Sequence, residues 1–142
     1  DKTILIKLSD SLLQNYNGSF TDLLRKKSTL YLKKKELKKF VSLLFKKAIL
    51  HHTSYDADIK EKTPNWETDR IADMDLILIK MAITEFLHFP SIPARVTINE
   101  YIEIAKDYST QKSSYFINGV LDKIYKEFIE SKRIVKIGRG LL

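Results

Sequence analysis

The chain has 142 residues, with 25 Lys or Arg against 18 Asp or Glu, a formal charge of +7 and no cysteine. That length suits a single domain burying roughly 68–70% of its unfolded surface, and the lack of cysteine excludes a disulfide framework and thiolate metal sites. No run of about 18 uncharged apolar residues occurs, which excludes a transmembrane helix. No basic-then-apolar leader pattern follows Asp1. Together with the absence of cysteine, this is compatible with a cytoplasmic setting. Three histidines and four glycines leave little material for metal clusters or phosphate-cradling loops.

In chain order, residues 3–16 read as a helix with Ile4, Leu5, Leu8, Leu12 and Leu13 on one side, stopped by Asn17-Gly18. Residues 19–32 lack a clean period and read as a helical turn within a loop. Lys34 to His52 is the clearest helix. Leu37, Phe40, Val41, Leu44, Phe45, Ala48 and Ile49 make a stripe wide enough for a bundle core. Thr53 is placed to cap a short helix through Tyr55 and Ile59, and Thr63-Pro64-Asn65 breaks the chain. Thr68 or Asp69 then caps a helix reaching about Phe86, with Ile71, Met74, Leu78, Met81, Ala82 and Phe86 inward. Ile77, Ile79 and Ile83 widen its apolar surface nearly all round, which predicts the central helix.

Two more helices follow. Thr97 and Glu100 have capping-box spacing, after Pro90 and Pro93, which stop helix from running through the residues before them. Ile98, Tyr101, Ile102, Ala105 and Tyr108 share a face. The last helix is expected to start at Ser113 or Ser114, either a suitable cap. Its inner face is Phe116, Ile117, Val120, Leu121, Ile124, Tyr125 and Phe128. Gly119 inside it suggests a close backbone approach. The expected architecture is all-α, a helical bundle with its core on Phe40, Leu44, Met74, Leu78, Ile102, Val120 and Leu121. Residues 1–33 are an extension of uncertain packing, 34–131 the helical domain, and 132–142 a flexible tail.

Charge is unevenly placed. Ten basic residues and only Glu36 lie between Arg25 and Lys47, while from Asp56 to Glu85 eight acidic residues face four basic ones. A basic surface favours polyanions and an acidic one a basic partner. The lysines around residues 33–47 surround the apolar stripe, so they read equally as electrostatic help toward phosphate or as a solvated face. His51-His52 have no acidic or Cys partner at metal-site spacing. Asp73/Asp75 and Glu100/Glu103 lack a nucleophile and orienting group, which points away from catalysis. Trp66 reads as a core plug before a stacking platform. The Tyr108–Phe116 loop is the best site candidate. Its hydroxyls, Lys112 and aromatic rings are the side chains that read unstacked RNA bases. The plainer reading is a helix connection with Tyr108 and Phe116 in the core.

Several motifs occur together: Asn65-Trp66-Glu67-x-Asp69-Arg70-Ile71, Met74-Asp75-x-x-Leu78, Ile92-Pro93, Val96-x-Ile98-Asn99-Glu100, Glu103-Ile104-Ala105-Lys106 and Phe116-Ile117-Asn118-Gly119-Val120-Leu121-Asp122-Lys123. Over roughly Phe40 to Phe128 this resembles the bacterial NusB antitermination family. The resemblance implies an all-helical, non-catalytic protein without cofactor. It implies binding of boxA-type ribosomal leader RNA with ribosomal protein NusE in a transcription antitermination complex. By motif position, Lys106, Tyr108, Lys112, Ser113 and Phe116 are then expected at the RNA surface and Asp75 on the side facing NusE. Residues 1–39 show no family motif and no arginine-rich first helix, so a C-terminal portion of a longer NusB-like protein is expected. A protein-interaction module that touches no RNA, and the NusB-like domain preceding some ribosomal RNA methyltransferases, are the alternatives.

Overall fold

The computed structural model describes residues 34–65 and 70–142, the side chains of residues 34–37 excepted. The expectations for residues 1–33, Leu37, Trp66, Thr68 and Asp69 lie outside the described residues. Five α-helices make up the described bundle, with no strand among the described residues: α1 (Lys34–His51), α2 (Asp56–Lys62), α3 (Asp73–His88), α4 (Ala94–Tyr108) and α5 (Gln111–Glu130). A 3₁₀ turn, Gly138–Leu141, follows.

The all-round apolar helix is the central one. α3 packs against α1, α4 and α5, and α2 packs against α5. Every residue of α3 from Ile77 to Phe86 is buried. Leu44, Leu78, Val120 and Leu121 are in the core as expected, and Phe40 and Met74 pack partly buried against it. Ile102 is only half-buried, and Tyr101, Ile104 and Ala105 fill its place. The reason is phase. α4 begins at Ala94, so its inner face runs Ala94, Thr97, Tyr101, Ile104 and Ala105, the three- and four-residue spacing of a helix face.

Burying α3 from Ile77 to Phe86 requires partners for its polar side chains. Lys80 Nζ pairs with Asp56 Oδ1 at 2.7 Å. The Thr84 hydroxyl donates to the Lys80 carbonyl at 2.8 Å and lies 3.3 Å from the Tyr55 hydroxyl. The Thr97 hydroxyl donates to Glu85 Oε1 at 3.1 Å. Burial, with Glu85 beside it, pushes the Tyr101 phenol well above its usual pKa. Thr97 is therefore not the expected helix cap. It lies a turn inside α4, whose cap is Pro93, and its hydroxyl serves the α3–α4 contact.

Other caps differ in the same way. Tyr55 precedes α2 and Ala72 precedes α3, each without a side-chain cap, so Thr53 caps nothing. α5 starts at Gln111, capped by Thr110 rather than by Ser113 or Ser114. At its other end, Lys132 takes the left-handed φ of 58°. There the Lys132 N–H donates to the Ile129 carbonyl and the Arg133 N–H to the Phe128 carbonyl, at 3.1 and 2.8 Å. That is the Schellman closure, and it turns the chain back over the bundle.

The stretch expected to be a loose tail makes specific contacts. Ile134 is buried, and the Ile137 N–H donates to the Pro90 carbonyl at 3.1 Å. Gly140 lies so close to the Pro90 carbonyl that a Cβ there would collide with it. The close approach thus belongs to Gly140. Gly119 is exposed, and a Cβ on it meets nothing within 4 Å. Gly119→Ala should accordingly stabilise the protein by up to ~1 kcal/mol through helix propensity, seen as a raised Tm. A lowered Tm would restore the close contact expected from sequence.

Candidate nucleic-acid interface

The α4–α5 connection is two residues, Ser109 and Thr110, and hydrogen bonds hold it from both sides. The Ser113 N–H donates to Thr110 Oγ1 at 3.0 Å, closing the first turn of α5. The Ser109 hydroxyl donates to Asp75 Oδ1 at 2.8 Å, tying the loop to the start of α3. Ser109 and Ser113 hydroxyls are 2.9 Å apart, and those of Thr110 and Ser113 3.0 Å. A hydroxyl carries one proton and a carboxylate only accepts. The consistent arrangement therefore runs in one direction: Thr110 donates to Ser113, Ser113 to Ser109, and Ser109 to Asp75. Ser114 is also used up, donating to the Gln111 carbonyl at 2.7 Å.

This network redistributes the expected site residues. Ser113 is buried and locks the loop. Asp75 is only 5% exposed, so it does not offer the surface charge expected of a residue facing a partner. Tyr108 and Phe116 are half-buried and packed against the core. Lys106 and Lys112 remain exposed. Lys106 pairs with Glu103 at 2.9 Å across one helical turn. That hydrogen bond raises its pKa, with the Tyr115 phenol adding a smaller push in the same direction.

Tyr115 is the residue the motif reading passed over. Its side chain is 70% exposed, one turn from Lys112 and within electrostatic reach of Lys106. Helix phase held the signal. The inner stripe Phe116, Ile117, Val120, Leu121 leaves positions 112 and 115 together on the outer face. The result is an exposed aromatic ring near two exposed lysines, at the start of α5 beside the fixed loop.

Half of the described acidic residues between 56 and 85 are turned inward, Asp58, Asp75 and Glu85 being buried while Glu61 and Asp73 are exposed. Asp56 pairs with Lys80, Asp58 with Arg133, Asp75 holds Ser109, and Glu85 accepts from Thr97. His51 stacks on His88, ring centroids 4.9 Å apart and 18° between planes. Burial first, then Lys47 and His51, lower the His88 pKa. Among the described residues no group of three or more His, Cys, Asp or Glu is placed to hold a metal ion. No described helix is long and apolar enough to cross a membrane.

The family model described as the NusB family matches residues 5–126. The chain belongs to the NusB family. The match takes in residues 5–39, where the short motifs were silent. The transcription antitermination protein NusB of Salinibacter ruber is 42% identical over 103 residues, 72% of this chain and 64% of that protein. The protein of the same name from Chloroherpeton thalassium is 43% identical over 106 residues, 74% of this chain and 50% of its own length. That from Natranaerobius thermophilus is 42% identical over 77 residues, covering 54% and 55%. The chain thus spans between half and two thirds of the curated relatives it matches. No solved structure matches it significantly.

Proposed function

We propose that this chain is a non-catalytic RNA-binding factor acting in transcription antitermination. On this reading its ligand is a boxA-type element of ribosomal leader RNA, taken together with ribosomal protein NusE in an antitermination complex. One observation carries the RNA-binding part: Lys106, Lys112 and Tyr115 are presented outward beside a loop locked by four side chains. Cations for phosphate and an open aromatic face for a base are what single-stranded RNA requires. The loop's rigidity lowers the ordering cost of binding. Tyr108, Ser113 and Phe116 support that surface from behind, and Asp75 acts through the loop it anchors. The name carried by the relatives supports antitermination, and the family resemblance supports boxA and NusE.

Titration of boxA RNA, alone and with NusE, against the longest available chain tests this. Lys112→Ala should lower affinity and reduce the salt slope by about 0.7, the single-strand value per phosphate. Tyr115→Ala should cost ~1–3 kcal/mol of binding with an unchanged Tm. Wild-type affinity in both variants would remove the loop as the RNA site. NusE binding with no RNA affinity under any condition would favour the pure interaction module.

A further inference from the structure

Gly119 stands near the middle of α5. After proline, glycine is the residue least suited to a helix interior, and nothing inside the molecule requires it here. Its φ is not left-handed; among the described residues Gly138 is the glycine that takes that conformation. The position is exposed, and a Cβ on it meets nothing within 4 Å. Neither backbone conformation nor internal packing therefore accounts for the glycine. What it leaves is a bare stretch of helix backbone that a ligand can approach closely. A local preference broken without any internal gain is the mark of a functional position.

The neighbours of Gly119 on that face say what approaches. Residues three and four apart share a helix face, so Lys112, Tyr115, Gly119 and Lys123 form one line along α5, all of them exposed. At 1.5 Å per residue the line is roughly 16 Å long. Helical side chains lean toward the N-terminus of their helix. The Lys123 stem therefore leans back over the space that Gly119 leaves, and Tyr115 leans away from it. Exposed Asn118 borders the same space. The flanking carboxylate of Asp122 is taken by Lys126 at 2.8 Å, and Lys123 has no carboxylate partner among the described residues. A second protein helix crossing at the glycine would need apolar neighbours to bury, and apart from Tyr115 the line offers none. Single-stranded nucleic acid needs cations for its phosphates and an aromatic face for a base, and both are here.

We propose that single-stranded RNA continues along the outer face of α5 past Tyr115, one nucleotide lying over the bare backbone at Gly119 with its phosphate on Lys123. The proposal rests on the RNA reading above and adds two residues to it. Tyr115 holds a base by stacking. The next sugar passes over Gly119, where a larger side chain would hold it off the helix. Lys123 takes the phosphate beyond. Gly119 acts through the side chain it lacks.

Titration of a boxA-type RNA oligonucleotide against the full chain, with and without NusE and with Tm measured on each variant, tests it. Gly119→Leu should weaken RNA binding about tenfold without lowering Tm, because the added side chain meets open space. Gly119→Ala should weaken binding less. Lys123→Ala should reduce the salt slope by about 0.7, whereas Lys60→Ala, which removes an exposed lysine of α2, should leave it unchanged. Wild-type RNA affinity in Gly119→Leu overturns the proposal, and Tyr115→Ala then separates the two readings. If Tyr115→Ala binds weakly, the RNA site beside the loop stands without the extension. If it too binds like wild type, or the unaltered chain binds no RNA, both readings fall. An unchanged salt slope in Lys123→Ala removes the path along α5. So does a Gly119→Leu variant that loses NusE and keeps RNA, since the bare backbone then belongs to the protein partner.

Discussion

Asp75→Lys should destabilise the fold by roughly 3–5 kcal/mol, the range for an uncompensated charge left in a buried site. The carboxylate lies in the first turn of α3, where an anion favours the helix and a cation opposes it. It is the acceptor at the end of the Thr110–Ser113–Ser109 hydroxyl chain. Lysine removes that acceptor, so the Ser109 hydroxyl loses its partner in a part-buried site. Asp75→Asn keeps an acceptor oxygen and should cost only about 1 kcal/mol. Urea denaturation of both variants, with amide exchange read at residues 109–114, checks this. A lysine variant as stable as wild type would mean that Asp75 faces solvent, and would return it to the partner surface.

Arg133→Ala should cost about 2–3 kcal/mol and loosen α2 from the bundle. The guanidinium donates from Nη1 and Nη2 to the two oxygens of Asp58, at 2.6 and 3.2 Å. It also lies 3.9 Å from the centre of the Phe128 ring, a ring with no exposed surface. Exposed ion pairs contribute about 0–1 kcal/mol and breaking a buried one costs ~3–5. Here Asp58 is nearly buried while Arg133 is partly open, which places the pair between those limits. Planar stacking on Phe128 adds to it. Arg133→Lys should recover less than half of the loss, because an ammonium cannot make the forked bond and the stacked contact together. A double-mutant cycle with Asp58→Asn measures the pair itself. A coupling near zero would show that the Arg133–Asp58 pair does not hold the C-terminal segment, leaving that to Ile134, the Phe128 stacking and the bonds to Phe89 and Pro90.

Much of the fold was legible in hydropathy. The stripes Phe40–Val41–Leu44–Phe45–Ala48 and Ile117–Val120–Leu121–Ile124–Phe128 lie in α1 and α5 and face the core. The nearly all-round apolar run of α3 marked the centre of the bundle because a helix without a polar face must be covered on every side. Of the candidate site, the exposure of Lys106 and Lys112 was legible, but not the extent of the loop: it was expected over Tyr108–Phe116, whereas residues 111–116 are already the first turns of α5. Tyr115 was legible too, once helix phase was allowed to separate it from Phe116.

By itself, then, the sequence determined the all-helical class, the central helix, the family and the loop between the last two helices. These follow from periodic burial and from residue spacing within single segments. The tertiary structure alone decided what the polar side chains do. Thr97 looks like a cap until Glu85, from the neighbouring helix, accepts its hydroxyl's hydrogen bond. Asp58 looks like surface charge until Arg133, 75 residues later, folds over it. A hydroxyl or carboxylate has the same local preference in each case, and burial beside a distant partner sets its role. For the same reason Gly140, not Gly119, is the position where only glycine fits: closeness to the Pro90 carbonyl belongs to the chain's return path over α4.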